Sequence, residues 1–132
     1  MFTIMILAHL LGDYLLQFDF VAKWKARSLW GVVAHGGIVT LTTLVCAILV
    51  DPGWWRNALL IGLTHTVIDV VRARLIRAKN PTWDLVYFLI DQLTHIAIIT
   101  FVVMLHPANP PAGHAGLSKV AALTIGYLLL LQ

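Results

Sequence analysis

Long apolar runs dominate the chain, and short polar segments separate them. Crossing the hydrocarbon core of a bilayer takes about 20 predominantly apolar residues, and a spanning backbone must satisfy its own hydrogen bonds. The pattern therefore predicts an all-α integral membrane helical bundle of about five transmembrane helices, of which the third and fifth are short. The five runs cover residues 1–22, 30–50, 55–72, 84–106 and 117–131.

The composition supports this class, because 60% of the 132 residues are hydrophobic and only 11% are charged. Such a balance is typical of membrane proteins and not of soluble domains. The length leaves room for a single transmembrane domain, residues 1–132. The single cysteine, Cys46, lies within the second run, which excludes an internal disulfide and a thiol-rich metal site.

The basic residues are distributed unevenly between the loops. Seven of the nine Lys and Arg residues lie in two segments, 23–27 and 72–79. Because cytoplasmic loops carry an excess of Lys and Arg, we expect an inner (cytoplasmic) membrane protein with its N-terminus outside and its C-terminus in the cytoplasm. All five tryptophans fall at predicted boundaries, as in the aromatic belts of membrane proteins.

The net charge of +3 arises from these basic loops. It predicts contact with anionic membrane lipid and gives no reason to expect a nucleic-acid site. A homo-oligomer is compatible with the pattern.

Ionisable residues interrupt the first four apolar runs. Each of these runs carries one interior histidine, and three of them carry an aspartate four residues away, on the same helical face. A charged side chain at the bilayer centre costs about 2.5–3.5 kcal/mol, so the aspartates must be paired, protonated or bound to a cation. The set comprises His9, Asp13, His35, His65, Asp69, Asp91 and His95.

The depths of these side chains point to a shared site. With a rise of about 1.5 Å per residue, His9 lies near the midplane and the other six lie between the midplane and the inner boundary. Small residues that let helices approach closely, among them Gly12, Gly36 and Gly62, lie beside them. The sequence therefore predicts that the first four helices converge on one polar interior.

Four imidazoles and three carboxylates are typical ligands of zinc, manganese or iron, whereas magnesium prefers oxygen alone. Two divalent ions would leave a net charge of +1 over three carboxylates, which a bridging hydroxide would cancel. Zinc is the favoured metal. Gln17 and Gln92 are candidate hydrogen-bond donors to the ligands, or else hold helices together. Haem ligation would use the histidines but leaves the aspartates unexplained.

The stretch "HLLGDYLLQFDFVAKWK", with the "HG", "HTVIDVVRAR" and "FLIDQLTHI" segments after it, resembles a family of small bacterial and phage integral-membrane proteins classed as a domain of unknown function. The resemblance covers about residues 5–100. More loosely, the His and Asp pattern is similar to that of the predicted membrane-bound metal-dependent hydrolases, which implies metal binding. The first family implies no activity, only that the polar positions are its motif.

Three functions follow from these observations. The first is a metal-dependent hydrolase that acts on a lipid-linked or membrane-accessible ester or phosphate. The second is an ion or proton conductor with the same residues as a relay, and the third is a structural membrane subunit with a polar packing core. A conductor needs polar groups as far as the outer surface, and segments such as 98–105 offer almost none. We therefore favour the hydrolase.

The orientation can be tested with fused reporters. A reporter inserted within residues 23–27 or 72–79 should read cytoplasmic, and one within 107–116 should read external, because the basic loops are retained inside. Paired alkaline phosphatase and fluorescent-protein fusions would measure this. The opposite pattern would overturn the predicted orientation.

Overall fold

The computed structural model describes residues 1–75 and 83–109, together with residues 120, 123, 124, 126, 127 and 130. The prediction of an all-α fold is confirmed for these residues, which contain no strand. A π-helical segment, Leu11–Leu15, continues the first helix, and a 3-10 turn, Pro52–Trp54, joins the third helix to the fourth. The helices are α1 (Phe2–Leu10), α2 (Asp19–Arg27), α3 (Leu29–Val50), α4 (Trp55–Leu75) and α5 (Asp84–Leu105).

The prediction of five transmembrane helices is wrong for the described part of the chain. Two segments, Leu29–Val50 and Leu85–Leu105, are long and apolar enough to cross a membrane. A third span exists if the bent pair Phe2–Leu15 and Asp19–Arg27 counts as one. The fifth predicted run, 117–131, lies largely outside the described residues.

The third predicted run, 55–72, is helical, and α4 contains it. α4 has 21 residues, close to the 22 of α3, but its composition does not qualify it as an apolar membrane span. The reason is charge, because α4 carries Arg56, Asp69, Arg72 and Arg74. Two of these groups are neutralised by partners on other helices, as described below.

The first predicted run, 1–22, is broken. In the π-helical segment the Leu16 amide donates to the Leu11 carbonyl, five residues earlier, at 2.9 Å. The chain then becomes extended at Phe18, and α2 leaves at 85° to the preceding helix. The amphipathic sequence of α2, which buries Val21 and carries three basic residues, explains why it does not continue the apolar span.

Hydrogen bonds connect α3, α4 and α5 at the end of the bundle that contains the Pro52–Trp54 turn. One Asp51 carboxylate oxygen accepts from the Gly53 amide and the other from the Asn109 amide, both at 2.9 Å. The Trp54 indole donates to the His106 carbonyl at 2.7 Å. Trp54 is only 2% exposed. Trp54 therefore lies at a predicted boundary, but its indole is buried and donates to the end of α5.

Glycines set the contact between α3 and α4. A Cβ atom at Gly36 would overlap the Thr66 side chain, and a Cβ atom at Gly62 would overlap the Thr40 side chain. Each threonine hydroxyl donates to a carbonyl of its own helix, Thr40 to Gly36 at 2.6 Å and Thr66 to Gly62 at 3.0 Å. Each threonine thus packs against the glycine of the opposite helix, and its hydroxyl remains hydrogen-bonded.

The interior is divided along its length. The half nearest the α3–α4 turn contains an apolar cluster, which we call the outer core, together with buried Thr43 and Asp51. The seven buried His and Asp residues of the predicted site lie in the other half. Large apolar side chains such as Leu41, Leu63 and Leu93 are more than 60% exposed on the outside of α3, α4 and α5. Exposed apolar surface on this scale marks contact with lipid or another protein. The outer core comprises Ile4, Met5, Ala8, Cys46, Ala47, Val50, Trp54, Ala58, Ile61, Ile99 and Val102.

Gly36→Ala should destabilise the α3–α4 pair by about 1–3 kcal/mol, because the added methyl group overlaps Thr66. Gly37→Ala is the matched control, since a Cβ atom there meets nothing within 4 Å. It should be neutral or stabilising, because alanine is the better helix former. Thermal denaturation in detergent measures the difference, and equal stability of the two variants would contradict the packing described here.

Candidate metal centre

The four helices α1, α3, α4 and α5 bring the predicted polar residues into one interior. His65 lies at the centre of the histidines, with its ring centroid 4.2 Å from that of His95, 5.4 Å from His9 and 5.6 Å from His35. All seven residues are buried, none being more than 8% exposed. They are His9, Asp13, His35, His65, Asp69, Asp91 and His95.

Asp13 is held by two helices other than its own. His35 Nε2 lies 2.9 Å from one carboxylate oxygen, and the Gln92 amide donates to the other at 3.0 Å. The sequence placed Asp13 beside His9 on one helical face. In the structure Asp13 belongs to the π-helical segment, and its hydrogen bonds in the described chain go to α3 and α5 instead. Single π-helical turns recur at functional sites.

Asp69 is paired with a cation that the sequence analysis assigned only to topology. The Lys25 ammonium lies 2.7 Å from Asp69 Oδ2, and the side chains are 17% and 1% exposed. α2 reaches the site because Gly31 of α3 leaves room for the backbone at Trp24, which a Cβ atom would overlap. The sequence contains one signal for this contact. Lys25 follows Val21 by four residues on an amphipathic helix, so the two side chains lie on the same face, and Val21 is buried.

Asp91 is also paired with a basic residue from another helix. Arg72 Nη1 donates to Asp91 Oδ2 at 3.0 Å, and the Arg72 side chain is 31% exposed. The pairs predicted within single helices are longer, 3.5 Å for His65–Asp69 and 3.9 Å for His95–Asp91. For each aspartate, the shortest contact is therefore made between helices and not within one.

Many buried polar atoms in this interior have no hydrogen-bond partner among the residues that the structure describes. They include His9 Nε2, His35 Nδ1, and both ring nitrogens of His65 and of His95. A buried polar group without a partner costs about 1–3 kcal/mol, and such groups are rare in native proteins. Their concentration around one histidine fits a site completed by a bound cation or by ordered water.

Two overlapping sets of three residues have the geometry to hold an ion. One is Asp13, His35 and His65, and the other is His65, Asp69 and His95, with the ligand atoms of each set within 4.8 Å of one another. His65 belongs to both sets. His9 and Asp91 belong to neither among the described residues, so the structure does not place all seven predicted ligands around one ion.

The ion pairs change the charge balance of the site. Three carboxylates with Lys25 and Arg72 leave one negative charge when the histidines are neutral. A single divalent ion would make the site monocationic, and an anionic ligand would then neutralise it. Two ions, the case considered from the sequence, would leave three positive charges in a buried space. The net charge is therefore smaller with one ion than with two.

The remaining space and the two glutamines complete the description. A cavity of about 10 Å³ lies against His9, His65 and His95, which is room for one water molecule or ion. Gln92 donates to Asp13 from another helix, a contact that fits both predicted roles, a donor to a ligand and a bond that holds helices together. Gln17 is half-buried at the break before α2, and its side chain makes no hydrogen bond to these residues in the described part of the chain.

A family profile described as "Protein of unknown function (DUF3307)" matches residues 1–119. No curated protein and no solved structure matches the chain. The match includes every residue of the buried polar site. The chain therefore belongs to the DUF3307 family of proteins of unknown function.

Proposed function

We propose that the chain is a membrane-embedded hydrolase that uses one divalent metal ion, with zinc favoured over manganese or iron. Its substrate would be a lipid-linked or membrane-accessible ester or phosphate. The observation that carries the proposal is the group of unpartnered imidazole nitrogens around His65, next to carboxylates. Nitrogen and oxygen donors together suit these metals, and three protein ligands with one open position are typical of catalytic zinc.

Asp13, His35 and His65 are the better ligand set. Gln92 donates to one Asp13 oxygen and so fixes the carboxylate, as partners of metal ligands commonly do. In the second set, Asp69 is already neutralised by Lys25 at 2.7 Å. Bound metal in such a site acidifies water and polarises an ester or phosphoryl oxygen.

Lys25 suits the binding of an anionic substrate. Its ammonium contacts Asp69 Oδ2, and the same oxygen lies 3.5 Å from His65 Nε2 and 3.7 Å from His35 Nε2. The amine is therefore adjacent to the ligands yet supplied by α2, the helix that leaves the bundle. We propose that the Lys25 ammonium binds and orients a phosphate or carboxylate group of the substrate, because a lysine ammonium binds phosphate as a point charge.

The division of the interior favours a one-sided site over a conducting path. Within the described residues the His and Asp groups of the site end at His9, and the outer core continues beyond it with side chains such as Met5, Ala47 and Val102. The buried polar side chains of that layer, within the described residues, are only Thr43 and, at the turn, Asp51. A proton or ion relay would need polar groups or water through this layer. The proposal places access on the side of the basic segments, which is the cytoplasmic side if the predicted orientation holds.

Protein purified without chelator should contain about one zinc per chain, because one open-sided set of three ligands binds one ion. His65→Ala should remove it, since His65 belongs to both ligand sets. His106→Ala is the control, because this exposed histidine lies at the far end of α5. Elemental analysis of the wild type, His65→Ala and His106→Ala measures the zinc content of each. Wild-type protein without stoichiometric metal would refute the proposal, and two ions would refute the charge argument.

Asp13→Asn should weaken zinc binding by at least about 10-fold while the protein still folds, because the amide keeps the shape and loses the charge. Zinc at 100 times its dissociation constant should stabilise the wild type by about 2.7 kcal/mol. Asp91→Asn should keep this stabilisation, since Asp91 is outside both ligand sets. Thermal shifts with and without zinc measure all three. If zinc stabilises none of them, the structural or relay function is the better explanation.

A further inference from the structure

A groove separate from the metal centre runs between α4 and α5. Its volume is about 310 Å³, at the lower end of the range of ligand pockets. Val67 and Val71 of α4 and Tyr87 and Ile90 of α5 form its walls, and Arg72 and Asp91 lie along it. The groove is thus apolar over most of its surface and carries one ion pair.

The walls of this groove are open to the surroundings of the bundle. Val67 is 62% exposed and Ile90 is 55% exposed. α5 is one of the two helices that qualify as a membrane span, so the groove opens sideways towards lipid chains. An apolar, laterally open groove of this kind accommodates a hydrocarbon chain without desolvating any polar group.

The ion pair in the groove supplies the charge complementarity. A guanidinium has five N–H donors, and Asp91 accepts from one of them at 3.0 Å. Arg72 is partly exposed, and Arg74, two residues further along α4, is exposed as well. Arginine binds phosphate with charge-assisted hydrogen bonds and can engage two oxygens together. The basic end of α4 therefore favours an anionic head group over a neutral one.

The groove also leads to the polar interior. Asp91 lines the groove, and its Oδ2 atom lies 3.9 Å from His95 Nδ1. The His95 ring in turn contacts the His65 ring, with a centroid distance of 4.2 Å and an interplanar angle of 37°. Asp91 and His95 would therefore connect a phosphate on Arg72 to the proposed metal ligand His65.

We propose that this groove binds one hydrocarbon chain of an anionic phospholipid, whose head-group phosphate sits on Arg72. The inference rests on the proposed function and names its substrate class, a phosphate-bearing lipid. It assigns Arg72 two roles, neutralising Asp91 and anchoring the head group. Lipid chain and head group are recognised by different residues, so each can be tested separately.

The test uses the full-length protein in detergent and native mass spectrometry. Phosphatidylglycerol should bind about 10-fold more tightly than diacylglycerol with the same chains, because diacylglycerol lacks the phosphate that accepts hydrogen bonds from Arg72. Ile90→Trp should weaken phosphatidylglycerol binding about 10-fold by filling the groove. Leu93→Trp is the matched control on the same helix, because Leu93 is 64% exposed and does not line the groove.

The head-group contact is tested by charge. Arg72→Gln should abolish the preference for phosphatidylglycerol, whereas Arg74→Gln should keep it. Because Arg72→Gln also leaves Asp91 without its cation, Arg72→Lys serves as a second variant that should restore most of the preference. Equal affinities for the two lipids in the wild type would overturn the proposal, as would equal losses in Ile90→Trp and Leu93→Trp.

Two further outcomes assign the groove to another occupant and would also overturn the proposal. One is binding of inorganic phosphate that depends on Arg72 while lipid binding ignores Ile90→Trp, which indicates a free-phosphate site. The other is a dimer that Ile90→Trp dissociates and that excludes lipid. Zinc content is measured on the same samples. Zinc without lipid binding refutes only the groove, and lipid binding without zinc refutes only the hydrolase.

Discussion

Three carboxylates buried in an apolar helical bundle are the constraint on which the rest of this structure depends. An uncompensated charge in such an interior costs several kcal/mol, so each aspartate requires a partner at hydrogen-bond distance. Asp13 has His35 and Gln92, Asp69 has Lys25, and Asp91 has Arg72. Because every one of these partners comes from another helix, the same contacts that stabilise the carboxylates also fix the relative positions of the helices.

The irregular start of the bundle follows from this requirement. A straight helix over the first apolar run would carry the basic residues after Phe18 along the bundle axis. The break at Phe18 instead turns α2 through 85° and brings Lys25 back to Asp69. The π-helical segment presents Asp13 towards α3 and α5. Two departures from regular helix thus place one cation and one carboxylate in the site.

The polar groups of the site are not all paired within the described residues. The unpaired imidazole nitrogens are the atoms available to bind a ligand. Lys25 and Arg72 pair with the charges of two aspartates. Within the described residues, Asp91 Oδ1 and the ring nitrogens of His65 and His95 still have no hydrogen-bond partner. A core selected for packing alone would be more stable with apolar side chains of the same size. Both cations are also partly exposed, so the groups that neutralise the interior are the ones an anionic ligand could reach.

By itself, the sequence determined the class of fold and the identity of the polar residues. Runs of apolar residues require helices, and His and Asp residues in such runs are costly enough that their clustering could be anticipated. Only the tertiary structure decided the partners. Rotation and approach of the helices depend on contacts such as Gly36 with Thr66 and Gly31 with the α2 backbone, which no local pattern encodes. The roles of Lys25 and Arg72, and with them a charge balance that suits one ion, arise from that packing.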